Sequence, residues 1–136
     1  MIILLAGGTE VSRSAIAAKI LKKHKKWRHL PVAEIGGVTQ LFGVEMETDD
    51  DLLFGIACEC VTGLTEEGFH VVLTHDDAPA LVKMLRRECG KDAVTAILLG
   101  GDDEKVVYDD VIDTRKSTSN DVFAMIEKII VKHRAA

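Results

Sequence analysis

Eight residues near the start of the chain have the spacing of a phosphate-binding loop. They are Gly7-Gly8-Thr9-Glu10-Val11-Ser12-Arg13-Ser14, and they match G-x-x-x-x-G-K-[ST] at the first glycine and the final hydroxyl. In such a loop, consecutive backbone N–H groups surround a phosphate at the start of a helix, and the final hydroxyl binds Mg²⁺. Ser12 replaces the second glycine and Arg13 replaces the lysine. Because arginine is forked and bulkier, it is not equivalent to lysine at a packed phosphate site.

The position of this segment fits the motif. The apolar run Ile2–Leu5 precedes it and is typical of a strand buried on both faces. After it, apolar residues recur at helical spacing up to about Lys25; they are Ile16, Ala17, Ile20 and Leu21. The sequence therefore predicts a strand, the Gly7–Ser14 loop and a helix in that order.

Strands and helices alternate along the rest of the chain. We predict further strands at 32–35, 69–74, 93–99 and 111–113, and helices starting near residues 49, 78 and 119. In the helix after residue 49, the inward positions are predicted to be Leu52, Leu53, Ile56, Ala57, Cys60 and Val61. Residues 36–48 fit a strand, a loop or a lid. Apolar strands alternating with helices indicate a three-layer α/β/α sandwich with a parallel sheet of about five strands, formed by one domain over residues 1–136.

Polar residues follow each predicted strand. Because the carboxyl ends of parallel strands meet at one edge of a sheet, these residues are expected to lie along a common edge, where ligands bind in such folds. Beyond the Gly7–Ser14 loop, the set is Glu34, His75, Asp76, Asp77, the segment 100–103, Asp113, Thr114, Arg115 and Lys116.

Composition and charge exclude several classes of protein. The formal net charge of −5 argues against a general nucleic-acid binder. The basic run 22–29 is typical of a solvated helix end. No apolar run approaches the roughly 18 residues needed to cross a bilayer, and the three cysteines lack the spacing of a zinc site. We therefore expect a cytoplasmic protein without a membrane partner.

Taken together, the chain resembles the P-loop small-molecule kinases of the nucleotide, nucleoside and adenylylsulfate kinase group. The resemblance covers most of the chain and is strongest in MIILLAGGTEVSRSAIAAKIL and in DDVIDTRKSTSNDVFAMIEKII. The segment GFHVVLTHDDAPALVKMLRREC fits the same rhythm of strand, acidic turn and helix. The resemblance implies a P-loop NTPase-like fold, ATP and Mg²⁺ as cofactors, and phosphoryl transfer to a small-molecule acceptor.

The same resemblance implies roles for particular residues. Gly7 to Ser14 surround the β- and γ-phosphates, and Arg13 takes the catalytic place of the lysine. Ser14 contacts Mg²⁺, and Asp76 or Asp77 helps to hold the metal or its water. Glu34 is a substrate-binding or base carboxylate. The residues that flank the adenine are Thr114, Arg115 and Lys116.

Departures from the family pattern leave three other interpretations open. Such kinases place arginines in a lid between the last two strands, whereas segment 101–110 is acidic and lacks arginine, although phosphoryl transfer needs positive charge at the γ-phosphate. The chain could instead be a degenerate kinase-fold protein that binds nucleotide weakly or not at all and acts through partners or as a homodimer. A dinucleotide- or flavin-binding protein is a third interpretation, although the G-x-G-x-x-G spacing is absent. In the fourth, the glycines only connect a strand to a helix.

Arg13 separates the first two interpretations. In a working kinase its guanidinium reaches phosphate oxygens, where its fork holds them with two hydrogen bonds. In a site that has lost catalysis it turns toward Glu10 or another nearby carboxylate and forms a surface ion pair.

Overall fold

The computed structural model describes residues 1–41, 50–100, 107–115 and 117–135. Within these ranges the chain forms five strands and five α-helices, with a short 3₁₀ turn at Lys91–Ala93. In chain order the elements are β1 (Ile2–Gly7), α1 (Glu10–Lys23), β2 (Trp27–Pro31), α2 (Val32–Leu41), α3 (Asp50–Glu66), β3 (His70–His75), α4 (Pro79–Cys89), β4 (Val94–Leu99), β5 (Asp110–Ile112) and α5 (Ser119–Ala135).

All five strands are parallel, in the order β2-β3-β1-β4-β5. β1 lies at the centre because its side chains are apolar on both faces, and residues 2–6 are all buried. Ile3 and Leu5 pack under α1 and α5, whereas Ile2 and Leu4 pack under α2, α3 and α4. The three-layer α/β/α prediction is confirmed.

The strand order creates a switch point between β1 and β3. From β1 the chain crosses to β2, and from β3 it crosses in the opposite direction to β4. The helices of these crossovers, α1 and α4, pack on opposite faces of the sheet. In open α/β sheets such a point leaves a crevice at the carboxyl ends of the strands. Here that crevice lies between the ends of β1 and β3.

The predicted second strand at 32–35 is wrong. β2 is Trp27–Pro31, and residues 32–41 form α2, which includes Gly36 and Gly37. Trp27 is buried, and Arg28 lies over the ring of Phe69 with its guanidinium carbon 4.2 Å from the ring centre. Pro31 is tolerated because β2 pairs only with β3 and is an edge strand.

The inward face of α3 also differs from the prediction. Phe54 and Cys58 are buried, whereas Leu52 and Cys60 are exposed. The buried face of α3 therefore includes Phe54 instead of the smaller Leu52. It is formed by Leu53, Phe54, Ala57, Cys58 and Val61. In α5, helical spacing predicts four inward residues, Val122, Ile126, Ile129 and Ile130. Val122, Ile126 and Ile130 are buried, whereas Ile129 is half-buried against the core. None of the helices in the described ranges is long and apolar enough to cross a membrane.

Candidate functional site

The turn between β1 and α1 is much shorter than the predicted loop. α1 begins at Glu10, so Glu10 to Ser14 are helical and only Gly8 and Thr9 connect the two elements. Thr9 is the N-cap: its Oγ1 accepts a hydrogen bond from the Ser12 backbone N–H at 3.1 Å. The prediction of an eight-residue loop is therefore wrong, because Thr9, which directly follows the glycines, caps the helix and Glu10 is its first residue.

The two glycines are required by the neighbouring strand. Gly7 and Gly8 have φ angles of +75° and +63°, in the left-handed region. A Cβ on Gly7 would lie 2.8 Å from the carbonyl oxygen of Leu99 at the end of β4, and one on Gly8 would lie 3.2 Å from Leu99 Cβ. Close packing against β4 thus accounts for both glycines without a bound phosphate.

Arg13 joins the end of β1 to the end of β3. Its side chain is only 8% exposed. Nη1 donates to the Gly7 carbonyl oxygen at 2.7 Å, and Nη2 donates to Asp76 Oδ1 at 3.1 Å. Its Nε–H is buried and has no hydrogen-bond acceptor within the described part of the chain. Arg13 thus pairs with a carboxylate, Asp76, but its guanidinium is buried and does not form the predicted surface ion pair.

Two serine hydroxyls of the predicted loop differ in their surroundings, since Ser12 is hydrogen-bonded within the first turn of α1 and Ser14 faces solvent. Ser12 Oγ accepts a hydrogen bond from Thr9 Oγ1 at 2.9 Å, which closes the first turn of α1. Ser14 is exposed on α1, as are Glu10 and Val11. Glu10 adds a negative charge at the helix N-terminus, where an anion would otherwise be favoured.

Asp77 is held by a tyrosine that belongs to none of the predicted motifs. The Tyr108 hydroxyl donates to Asp77 Oδ1 at 2.6 Å and accepts from the Ala78 backbone N–H at 3.0 Å. Tyr108 is buried and is the chain's single tyrosine. Its place in the acidic stretch before β5 is the one signal that could have indicated it.

The predicted magnesium ligands Asp76 and Asp77 already have hydrogen-bond partners within the protein. The Asp76 carboxylate already has the Arg13 guanidinium 3.1 Å away, and a second cation there would be repelled. One oxygen of Asp77, Oδ1, accepts the hydrogen bond from Tyr108. Across the described ranges, no group of three or more His, Cys, Asp or Glu side chains is arranged to hold a metal ion.

The remaining predicted site residues belong to other segments of the chain. Glu34 is in the first turn of α2 and not at a strand end, since the strand ends at Pro31. Thr114 and Arg115 follow β5, and Arg115 Nε pairs with Asp113 Oδ1 at 3.1 Å, which lowers the pKa of Asp113. Lys116 lies outside the described residues, as do positions 42–48 of segment 36–48 and positions 101–106 of the acidic stretch 101–110.

Arg86 of α4 has a structural role. Its Nη1 donates to the Val107 carbonyl oxygen at 2.6 Å, and its Nη2 donates to Asp109 Oδ2 at 3.0 Å. The same carboxylate oxygen accepts from the Ala96 backbone N–H at 2.7 Å. These bonds tie the approach to β5 onto α4 and β4.

An open groove of about 680 Å³ lies at the carboxyl end of β3. Its floor contains the buried side chains of Leu53 and Phe54. The His75 ring meets the Phe54 ring edge to face, with their centres 5.6 Å apart. The described residues that line the groove are Ala33, Gly36, Gly37, Asp50, Leu53, Phe54, His75, Asp76, Asp77, Ala78, Pro79 and Ala80.

Two histidines near this edge are expected to make stability depend on pH. Burial lowers the pKa of His75 and of His29, whose Nε2 lies 2.7 Å from Thr74 Oγ1; nearby carboxylates partly oppose this. In the unfolded chain the two histidines bind protons near the ordinary pKa of 6.5, whereas in the folded protein they bind protons only at lower pH. Stability is therefore fully present above 6.5 and falls as the pH drops toward the folded pKa values.

Urea unfolding at about pH 7.5 and about pH 5.5 gives the free energy of unfolding at each pH. The difference between the two values reports the protons that the unfolded chain binds in excess of the folded protein. The variant with His29→Gln and His75→Gln should show a smaller loss than the wild type over the same interval. An equal loss in both proteins would contradict the assignment to these two histidines.

Comparison with known proteins shows which solved structures have a similar fold. No protein-family model matches the chain, and no curated protein matches its sequence. Among solved structures it is similar to a de novo designed PLOOP2X3_50 fold protein, with 15% identity, a TM-score of 0.65, and coverage of 98% of this chain and 96% of that one. It is also similar to a de novo designed protein with a P-loop NTPase fold, with 12% identity, a TM-score of 0.58, and coverage of 98% and 92%.

The strand order agrees with this likeness. It differs from the 3-2-1-4-5-6 order of dinucleotide-binding sheets and from the 2-1-3-4-5 order of flavodoxin-like sheets. The order therefore weighs against the dinucleotide or flavin interpretation. Because the similar structures are designed proteins of low identity, the likeness concerns the fold alone. The chain has a P-loop NTPase-like fold.

Proposed function

We propose that this chain is a degenerate member of the P-loop fold that acts by binding and not by phosphoryl transfer. The observation that carries the proposal is the position of Arg13, the one basic residue between Gly7 and Ser14. Its guanidinium is buried and donates to the Gly7 carbonyl and to Asp76. Phosphoryl transfer requires cations around the γ-phosphate, and this one is neutralised by a carboxylate.

The form of the turn supports the same conclusion. Because α1 starts at Glu10, the chain has no wide loop of N–H groups between β1 and α1 that could wrap a triphosphate. The Ser12 N–H is already bonded to Thr9, and Glu10 repels an anion at the helix N-terminus. We therefore expect ATP to bind weakly or not at all. Association with partners, including a second copy of the chain, stays a prediction.

The test is release or transfer of the γ-phosphate of radiolabelled Mg·ATP by the purified wild-type protein. We expect no more labelled phosphate than the heat-denatured protein gives, and calorimetry should show a Kd for Mg·ATP weaker than about 1 mM, or about −4 kcal/mol. Phosphate release that follows the protein through successive purification steps would overturn the proposal. Ser14→Ala is the matched variant, because Ser14 is exposed and its loss leaves the fold intact; loss of such release in this variant would assign catalysis to the predicted loop.

A further inference from the structure

The groove beside β3 has the size and position of a small-molecule site. Its volume of about 680 Å³ lies within the roughly 300–1,000 Å³ typical of ligand pockets. It opens at the carboxyl end of β3, next to the switch point between β1 and β3, where ligands bind in open α/β sheets.

The floor of the groove is apolar and partly aromatic. Leu53 and Phe54 of α3 form it together with Pro79, the first residue of α4. The His75 ring stands edge to face against Phe54. Burial lowers the pKa of His75, so its imidazole is neutral at pH 7 and adds an uncharged ring to the wall. This surface suits a flat or aliphatic body of a few carbon atoms.

The charge of the lining has one sign. Asp50, Asp76 and Asp77 reach the groove, and no Lys or Arg is among its lining residues in the described ranges. Arg13 balances the charge of Asp76 and Tyr108 holds one oxygen of Asp77, which leaves Asp50 and Asp77 as net negative charges. A phosphate or carboxylate ligand would meet repulsion here, whereas an ammonium group would meet attraction.

We infer that this groove binds a small organic cation, with an apolar or aromatic body on the Leu53–Phe54 floor and its ammonium group beside Asp50 and Asp77. Charge complementarity selects this class of ligand over anionic and neutral ones. The inference rests on the proposed binding role and names the ligand class for it.

Three benzyl or benzoyl probes of similar size and different charge test the inference: benzylamine, benzyl alcohol and benzoate. We expect benzylamine to bind about tenfold more tightly than benzyl alcohol, as for a partly exposed charge-assisted hydrogen bond, and benzoate to bind more weakly than both. NMR titration of the full chain gives the affinities, and shifts of the His75 and Phe54 ring signals locate the ligand. Benzoate or benzyl alcohol binding as well as benzylamine would overturn the inference, as would shifts that avoid both rings.

Carboxylate variants provide the matched controls. Asp50→Asn and Asp77→Asn should each lower benzylamine affinity severalfold and leave benzyl alcohol unchanged. Asp110→Asn removes the same charge from β5, beyond β1 and β4 in the sheet order, and should change neither. Equal loss in all three variants would mean a general charge effect and would overturn the site. Because these titrations contain no ATP, a failure here and phosphate release in the earlier assay are separate results.

Discussion

Replacing Gly7 with alanine is expected to lower the free energy of unfolding by about 3 kcal/mol. The left-handed backbone costs a residue with a Cβ about 1–2 kcal/mol, and crowding in a packed core costs about 1–3 kcal/mol. Both apply at Gly7, where φ is +75° and the new Cβ would lie 2.8 Å from the Leu99 carbonyl oxygen and 2.9 Å from Leu98 Cδ1. Urea unfolding of the two proteins measures the difference.

Alanine variants of two other glycines are the controls for Gly7→Ala. Gly8→Ala should cost less than Gly7→Ala, because its Cβ would lie 3.2 Å from Leu99 Cβ and 3.6 Å from the Leu99 carbonyl oxygen, which are both longer than the two closest contacts at Gly7. Gly63→Ala should raise stability by about 0.5–1 kcal/mol, since Gly63 is exposed within α3 and a Cβ there meets nothing within 4 Å. Equal stability of Gly7→Ala and the wild type would show that the turn relaxes, and the glycines would then need another explanation.

Most of the fold could be predicted because its signals are local. β1, β3 and β4 are apolar runs buried on both faces, and α4 shows a regular inward stripe of Leu81, Val82 and Leu85. Each element could be assigned from residues within itself. The parallel sheet then follows from the alternation of strands and helices.

β2 could not be predicted because its signal is not local. Arg28 and His29 stand in a basic run, and their places in the strand are stabilised by contacts with Phe69 and Thr74, which are distant in sequence. The sequence predicts the strand at 32–35, after Pro31, yet Pro31 ends β2 and α2 begins at the next residue.

The edge that carries the candidate site could be predicted, but its contacts could not. Parallel topology places Gly7 and Asp76 at neighbouring strand ends. The sequence does not show that Thr9 caps α1 early enough to remove the loop. Nor does it show that Arg13 turns inward, because that choice depends on a carboxylate 63 residues away.

Arg13→Ala is expected to lower the free energy of unfolding by about 2–3 kcal/mol. The largest part is the charge-assisted hydrogen bond to the Gly7 carbonyl, worth about 1.5–3 kcal/mol, since the truncation leaves that oxygen without its donor. The ion pair adds less than about 1 kcal/mol, because the Asp76 side chain is 85% exposed. Urea unfolding of the wild type and the variant measures this loss.

Asp76→Asn separates the two contributions. It removes the charge on Asp76 and leaves the bond from Arg13 to Gly7, so we expect a loss below about 1 kcal/mol, and added salt should reduce it further. Arg13→Lys should fall between the two variants, because one ammonium group lacks the fork that reaches both Gly7 and Asp76. If Asp76→Asn costs as much as Arg13→Ala, the ion pair and not the carbonyl bond holds the two strand ends together. If Arg13→Ala costs nothing, Arg13 has no structural role and is again available to a phosphate, which would remove the main support for a binding function without phosphoryl transfer.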